Sequence, residues 1–122
     1  MSKIMVIDDT DSVRASISKI LKKSGNEVVE AKDGEQALKI LKTNKCDLLI
    51  LDVVMPKLGG VQALMEINKL DPKIKIIFIT GKVPQESDAF RILSSSFGVK
   101  GIIYKPFRKD DLLKKVDDCI NG

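Results

Sequence analysis

The 122-residue chain is long enough for one domain with a single substantial core. Hydrophobic residues make up 43% of it and charged residues 31%, and its apolar runs fall well short of the roughly 20 residues that cross a bilayer, so we expect a cytoplasmic protein. The net charge of +4 does not indicate a nucleic-acid-binding surface, because the lysines are scattered and aromatic residues make up only 4% of the chain.

The first part of the chain alternates between short apolar runs and amphipathic stretches, which predicts strands and helices in turn. A first strand is expected at Lys3–Ile7. The helix after it can be capped by Thr10 or Asp11 and should end at Gly25. A short second strand at Glu27–Glu30 follows.

The middle of the chain continues the same alternation. Asp33 is expected to cap a second helix, and the third strand is predicted at Asp47–Leu51. This strand is apolar without alternation, as expected of a central strand covered on both faces. The loop with Gly59 and Gly60 then leads into a helix, and a fourth strand is predicted at Ile74–Ile79.

The last part of the chain completes the pattern with a helix at about Gln85–Leu93, a fifth strand at Ile102–Tyr104 and a final helix that buries Leu112 and Val116. Five strand–helix repeats predict an α/β fold with a doubly wound, five-stranded parallel sheet. We expect residues 1–122 to form a single domain, with no output domain.

Charged residues stand at three of the predicted strand-to-loop junctions. Asp8 and Asp9 follow the first strand, Asp52 follows the third, and Lys105 follows the fifth. The carboxyl ends of parallel strands share one edge, so these groups can converge in one crevice. Neighbouring carboxylates at ~4 Å repel by about 4 kcal/mol at an effective dielectric near 20, and oxygen ligands suit Mg²⁺. For Asp9 alone, helix capping is an equally good interpretation, but the set together predicts a cation and phosphoryl site.

The sequence does not support a zinc site. The chain has no histidine, and its two cysteines, Cys46 and Cys119, are not part of a CxxC pair, whereas zinc takes about four nitrogen or sulfur ligands. We therefore interpret both cysteines as reduced, structural thiols.

Five short sequence motifs occur in a fixed order and spacing along nearly all of the chain. They are Asp8-Asp9, Asp52 in Leu-Asp-Val-Val-Met-Pro, Gly59-Gly60, Thr80 and Lys105-Pro106-Phe107. Together they resemble the receiver domain of response regulators in two-component systems, in its stand-alone, chemotaxis-regulator-like form. This resemblance implies a flavodoxin-like (βα)₅ sheet with the strand order 2-1-3-4-5.

The same resemblance implies a role for each acidic residue. Asp52 would accept a phosphoryl group from a histidine kinase or phosphotransfer protein and become an aspartyl-phosphate. Asp9 and Asp52 would bind Mg²⁺ (or Mn²⁺) directly, Asp8 mainly through water, and Val54 through its backbone carbonyl. Lys105 would pair with a phosphoryl oxygen.

Further residues are assigned by the resemblance to phosphoryl binding and to switching. Thr80 and the amide of Gly81 would bind the phosphoryl oxygen, and Pro106 would follow a cis peptide bond. The chain departs from the family at Ile102, where receivers often carry Tyr or Phe, and the nearest aromatic residue is Tyr104. We therefore expect Ile102 to be a core residue and the aromatic part of the switch to be altered.

The resemblance also implies how such a switch acts. The domain would assist its own Mg²⁺-dependent phosphorylation and dephosphorylation, and a phosphatase is a further partner. A downstream protein target would bind the face formed by the fourth predicted helix, the fifth strand and the last helix. Chemotaxis-type motor signalling and phosphorelay transfer are both open, and neither nucleic acid nor a membrane is expected as a partner.

Three other classes of protein fit the sequence less well. A haloacid-dehalogenase-type phosphatase needs a second aspartate two residues after the first, where this chain has Val54. A degenerate receiver that acts only as a binding module would not need Asp52 and Lys105 intact. A nucleotide-binding protein would carry a glycine-rich phosphate loop after the first strand, and this chain does not.

Overall fold

The fold is a parallel β-sheet with helices on both faces, seen in a computed structural model that describes residues 2–52, 58–80 and 99–121, and only the backbone within 58–63. The strands are β1 (Lys3–Ile7), β2 (Glu27–Ala31), β3 (Leu48–Asp52), β4 (Lys75–Thr80) and β5 (Val99–Tyr104). The helices of the described ranges are α1 (Asp11–Lys23), α2 (Gly34–Leu41), α3 (Leu58–Leu70) and α4 (Lys109–Asn121). The helix predicted at Gln85–Leu93 lies outside these ranges.

The strands run parallel in the order β2-β1-β3-β4-β5, which confirms the predicted fold class and strand order. Ile7 is paired with Leu51 in the ladder between β1 and β3. The residue after Ile7 is therefore level with the residue after Leu51. In this way the register sets Asp8 beside Asp52 at the carboxyl edge of the sheet.

Each face of the sheet carries its own hydrophobic cluster. One face packs Met5, Leu49 and Phe78 against α2 and α3. The opposite face packs Ile50 and Ile77, among others, against α1 and α4. These five side chains are at most 1% exposed, and burial of each stabilises the fold by about 1.5–3 kcal/mol. Burial on both faces explains why the central strands lack alternation of apolar and polar residues.

The predicted helix boundaries are confirmed in part. The Asp33 carboxylate accepts a hydrogen bond from the Gln36 amide at 2.8 Å, so Asp33 caps α2 as expected. Gly25 has a φ of +91° in the turn that follows α1. Thr10 occupies the N-cap position of α1, but its side chain makes no capping hydrogen bond, and Asp11 is already the first helical residue. Thr10 is therefore the cap residue of α1, one of the two expected, but without a side-chain hydrogen bond.

The edge strand β5 begins at Val99, three residues before its predicted start. Lys100 and Gly101 interrupt the apolar run, so the sequence pattern conceals a strand that the backbone pairing with β4 continues. The Lys115 side chain of α4 lies over Gly101, and a Cβ atom at this position would come within 2.7 Å of its Cδ atom. Glycine here permits the close approach of α4 to the sheet.

The helices in the described part of the chain are too short or too polar to cross a membrane. Cys46 and Cys119 are free and buried, and burial raises the pKa of both thiols. This environment disfavours the thiolate, as expected of structural cysteines.

Candidate functional site

Polar side chains from neighbouring strands lie together at the carboxyl edge of the sheet. Asp8 and Thr80 are 2% and 0% exposed, and the Asp52 side chain is 4% exposed. Lys105 is tied to the same edge, because its backbone amide donates to the Thr80 carbonyl at 2.8 Å. The four residues belong to the ends of β1, β3, β4 and β5, which the sheet order places side by side.

Lys105 and Asp52 form an ion pair within this edge. The distance from Lys105 Nζ to Asp52 Oδ2 is 2.6 Å, and the lysine side chain is 29% exposed. A hydrogen bond between charged groups is short and strong, and it offsets part of the desolvation of a buried carboxylate. Lys105 therefore supplies one of the positive charges that this acidic edge needs.

Asp8 lies beside Asp52 and is held by the loop that follows β1. Its Oδ1 atom accepts a hydrogen bond from the Thr10 amide at 2.8 Å. Burial raises the pKa of Asp8 from 3.8 to about 6, and the neighbouring Asp52 carboxylate acts in the same direction. The Thr10 amide and the Lys105 ammonium oppose this rise. The two carboxylates therefore carry more negative charge than Lys105 alone neutralises.

Three buried oxygens at this edge have no hydrogen-bond partner among the described residues. They are Asp8 Oδ2, Asp52 Oδ1 and Thr80 Oγ1. Buried polar atoms nearly always find a partner, so such a group indicates a ligand or a functional role. Two bare carboxylate oxygens on adjacent strands fit a hard divalent cation such as Mg²⁺, which prefers oxygen ligands.

Asp9, the other acidic residue predicted here, is exposed. Its carboxylate accepts a hydrogen bond from the Thr10 hydroxyl at 3.4 Å. Within residues 2–52, 58–80 and 99–121, no three Asp, Glu, His or Cys side chains are grouped closely enough to hold a metal ion. The described part of the site thus contributes the pair Asp8 and Asp52, while Val54 and Gly81 lie outside the described residues.

The Lys105–Pro106 peptide bond is cis. On the strand before it, Ile102 is partly buried against the cluster that covers the α2 and α3 face of the sheet. Tyr104 lies at the end of this strand, paired in register with Thr80, and is 41% exposed. The aromatic ring is therefore at the surface, and the aliphatic side chain is the one that packs.

Substitutions of Ile102 and of Tyr104 should change the free energy of unfolding by very different amounts. Ile102→Ala is expected to lower the free energy of unfolding by about 2 kcal/mol, because it removes packed methyl groups. Tyr104→Phe should change it by less than about 0.5 kcal/mol, because the phenol is at the surface. Urea unfolding of both variants measures the difference, and equal stability would contradict a core role for Ile102.

Arg14 is a residue of this region that the sequence analysis missed. Its guanidinium donates to the Asp8 backbone carbonyl at 2.7 Å and also contacts Asp11 and Glu30. The spacing of three residues between Asp11 and Arg14 on a helix is a signal that could have indicated the first of the two ion pairs. The contact with Glu30 depends on the packing of α1 on β2.

Known proteins resemble this chain in sequence and in fold. Residues 4–117 match the family model described as the response regulator receiver domain. The chain is 35% identical over 120 residues to the chemotaxis protein CheY of Bacillus subtilis, with 98% of each chain covered. It is also 35% identical over 114 residues to the CAI-1 autoinducer sensor kinase/phosphatase CqsS of Vibrio cholerae, and here it spans 17% of the relative.

Solved structures give the same result. The structure of chemotaxis protein CheY4 of Vibrio cholerae superposes with a TM-score of 0.84 at 28% identity. This match covers 98% of both chains. The superposition therefore extends over the whole sheet and the helices around it.

Proposed function

This chain belongs to the response regulator receiver family, and on that premise we propose that Asp52 is the residue that becomes phosphorylated. As a member of the family it is a phosphoacceptor switch of two-component signalling, a class of domain that works with histidine kinases and downstream targets. The assignment to Asp52, and the roles of the residues around it, are our inference from the site.

One observation carries the proposal. Asp52 is buried, its Oδ2 atom is paired with the Lys105 ammonium at 2.6 Å, and its Oδ1 atom has no partner among the described residues. A carboxylate with one oxygen neutralised and the other bare, at a strand end, is suited to act as a nucleophile. The exposed aspartates of the described helices lack this setting.

In the proposed reaction, a carboxylate oxygen of Asp52 attacks the phosphorus of a phosphohistidine on a histidine kinase or phosphotransfer protein. An acyl-phosphate O–P bond forms, and the P–N bond breaks with its electron pair left on the imidazole. The Lys105 ammonium then pairs with a phosphoryl oxygen, since the Asp52 carboxylate loses its own charge when it becomes an aspartyl-phosphate. The Thr80 hydroxyl and the Gly81 amide donate to the phosphoryl group as well.

We propose that Asp8, Asp9, Asp52 and the Val54 carbonyl hold Mg²⁺, which Mn²⁺ can replace. When bound, the metal supplies positive charge against the oxygens of the transferring group. The bare oxygens of Asp8 and Asp52 are the structural support for this assignment. Asp9 is exposed, so its carboxylate is open to solvent and to an incoming ion.

Removal of divalent cations should stop phosphorylation. Incubation with acetyl phosphate in excess chelator is expected to give at least roughly 100-fold less acid-labile phosphate on the protein than incubation with Mg²⁺. Restored Mg²⁺ or Mn²⁺ should restore the incorporation. Undiminished incorporation in chelator would contradict the metal assignment, and no incorporation with Mg²⁺ present would contradict the proposed function itself.

The phosphorylated domain is proposed to act through a surface. Its target would bind the face formed by β5, α4 and the helix predicted at residues 85–93, the last of which lies outside the described ranges. Tyr104 lies at this face, 41% exposed. The domain would also hydrolyse its own acyl phosphate with the help of Mg²⁺, and a phosphatase would speed that step.

A further inference from the structure

Arg14 joins three segments of the chain around the acidic loop after β1. Its guanidinium donates to the Asp8 backbone carbonyl at 2.7 Å, to Asp11 Oδ1 at 2.6 Å and to Glu30 Oε1 at 3.2 Å. The acceptors lie on the loop, in the first turn of α1 and on β2. The Arg14 side chain is only 16% exposed, so packing and two carboxylates together hold it in place.

The carbonyl that Arg14 binds belongs to the peptide unit between Asp8 and Asp9. A peptide unit is planar, so a hydrogen bond to its oxygen fixes the plane and the direction in which the chain enters Asp9. Backbone amides add further bonds to this loop. The Asp8 amide donates to the Ala31 carbonyl at 3.1 Å, the Thr10 amide donates to Asp8 Oδ1 at 2.8 Å, and the Arg14 amide donates to the Thr10 carbonyl at 3.0 Å. The Arg14 side chain adds a constraint at the Asp8 carbonyl.

The planar guanidinium is well suited to this task. It presents several donors in a fixed arrangement, whereas a lysine ammonium is a flexible point charge. With two carboxylates holding its other donors, the group bound to the Asp8 carbonyl cannot turn away without breaking two ion pairs. The Asp8–Asp9 peptide is thereby held through its carbonyl oxygen.

We propose that Arg14 is a positioning residue of the magnesium site, which holds the Asp8–Asp9 peptide and so fixes the backbone from which both carboxylates extend. This inference rests on the proposed function, since it requires Mg²⁺ to bind at these residues. Arg14 acts through the backbone and makes no contact with the ion. Its loss should therefore weaken metal binding more than it slows the reaction once the metal is bound.

The test is the affinity for Mg²⁺ in the absence of any phosphoryl donor. Isothermal titration calorimetry of Arg14→Ala is expected to show about tenfold weaker Mg²⁺ binding, as is typical when a residue that orients metal ligands is removed. Phosphate incorporation from acetyl phosphate should fall at low Mg²⁺ and approach that of the unchanged protein when Mg²⁺ is saturating. A purely structural role predicts a lower melting temperature with an unchanged Mg²⁺ affinity.

Two further variants make the result decisive. Arg14→Lys keeps one donor and should bind Mg²⁺ with intermediate affinity, and it also decides the matter if Arg14→Ala does not fold. Lys19→Ala removes an exposed charge from the same helix and should leave Mg²⁺ affinity unchanged.

Arg14→Ala and Arg14→Lys both binding Mg²⁺ as tightly as the unchanged protein would overturn this inference while leaving the proposed function intact. No measurable binding to the unchanged protein would instead overturn the metal site, and with it the proposed function. The two failures are therefore distinguishable in one set of titrations.

Discussion

Asp52→Asn is expected to abolish phosphorylation of the protein by acetyl phosphate. The amide keeps the size and shape of the side chain but is a far weaker nucleophile than a carboxylate, so no acyl phosphate can form at this position. We expect acid-labile phosphate on the variant to fall at least roughly 100-fold, because the group that is removed is the one that reacts. Mass spectrometry of the intact protein after a short incubation measures the loss.

The substitution should not unfold the protein. It removes a negative charge from a place where the Asp8 carboxylate and Asp52 repel one another, and it leaves Lys105 29% exposed to solvent. Asp110→Asn, at an exposed aspartate in the first turn of α4, is a suitable control and should be phosphorylated normally. If the folded Asp52→Asn variant were still phosphorylated, the phosphoacceptor would have to be another residue.

Asp8→Asn is expected to stabilise the metal-free protein at neutral pH. The folded protein raises the pKa of Asp8 from 3.8 to about 6, chiefly through burial, so the ionised side chain opposes folding. The shift of about 2 units corresponds to about 3 kcal/mol at pH values above 6. The asparagine can still accept the hydrogen bond from the Thr10 amide, so the variant loses the charge but keeps this contact.

The sign of the pH dependence follows from the same shift. Because the folded protein binds the Asp8 proton more tightly than the unfolded chain, this group's contribution to stability is fully favourable below about pH 4 and is lost as the pH rises through about 6. The stability advantage of Asp8→Asn should therefore be largest near pH 7 and should shrink towards pH 4. Subtracting the two unfolding curves at each pH removes the titration of all other groups.

Bound Mg²⁺ should reverse the order of stability between the unchanged protein and Asp8→Asn, or at least reduce the difference. At neutral pH, Mg²⁺ should raise the unfolding midpoint of the unchanged protein by mass action and should raise that of Asp8→Asn much less. Chemical denaturation in chelator and in Mg²⁺ measures both effects. A variant that is less stable than the unchanged protein in chelator would show that Asp8 ionisation does not oppose folding.

The sheet was predictable because each strand has its own short sequence pattern, and this pattern is repeated along the chain. Apolar runs closed by Asp8, Asp52 and Lys105 indicate strands that end together, and the doubly wound arrangement then places these residues at one edge. The start of β5 was not predictable, since Lys100 and Gly101 look like a loop unless the pairing with β4 is known. Polar residues within an edge strand form no sequence pattern that distinguishes the strand from a loop.

The finer geometry of the site was beyond the sequence for a related reason. The sequence does not indicate which of two adjacent aspartates is buried. In the structure Asp8 is 2% exposed, whereas Asp9 is exposed. The difference arises in the backbone of the loop, which the Thr10 amide and Arg14 help to fix. The contact of Arg14 with Glu30, in contrast, is long-range in sequence and depends on how α1 docks on the sheet.

Tyr104 gives this protein an optical property of its own. The chain contains one tyrosine and no tryptophan, so ultraviolet-excited emission at tyrosine wavelengths comes from a single phenol ring. That ring is adjacent in sequence to Lys105 and paired with Thr80 across the ladder. Tyrosine fluorescence therefore reports on one position, next to Lys105 at the carboxyl edge of the sheet. It requires no dye, and no other tyrosine or tryptophan in the chain contributes to it.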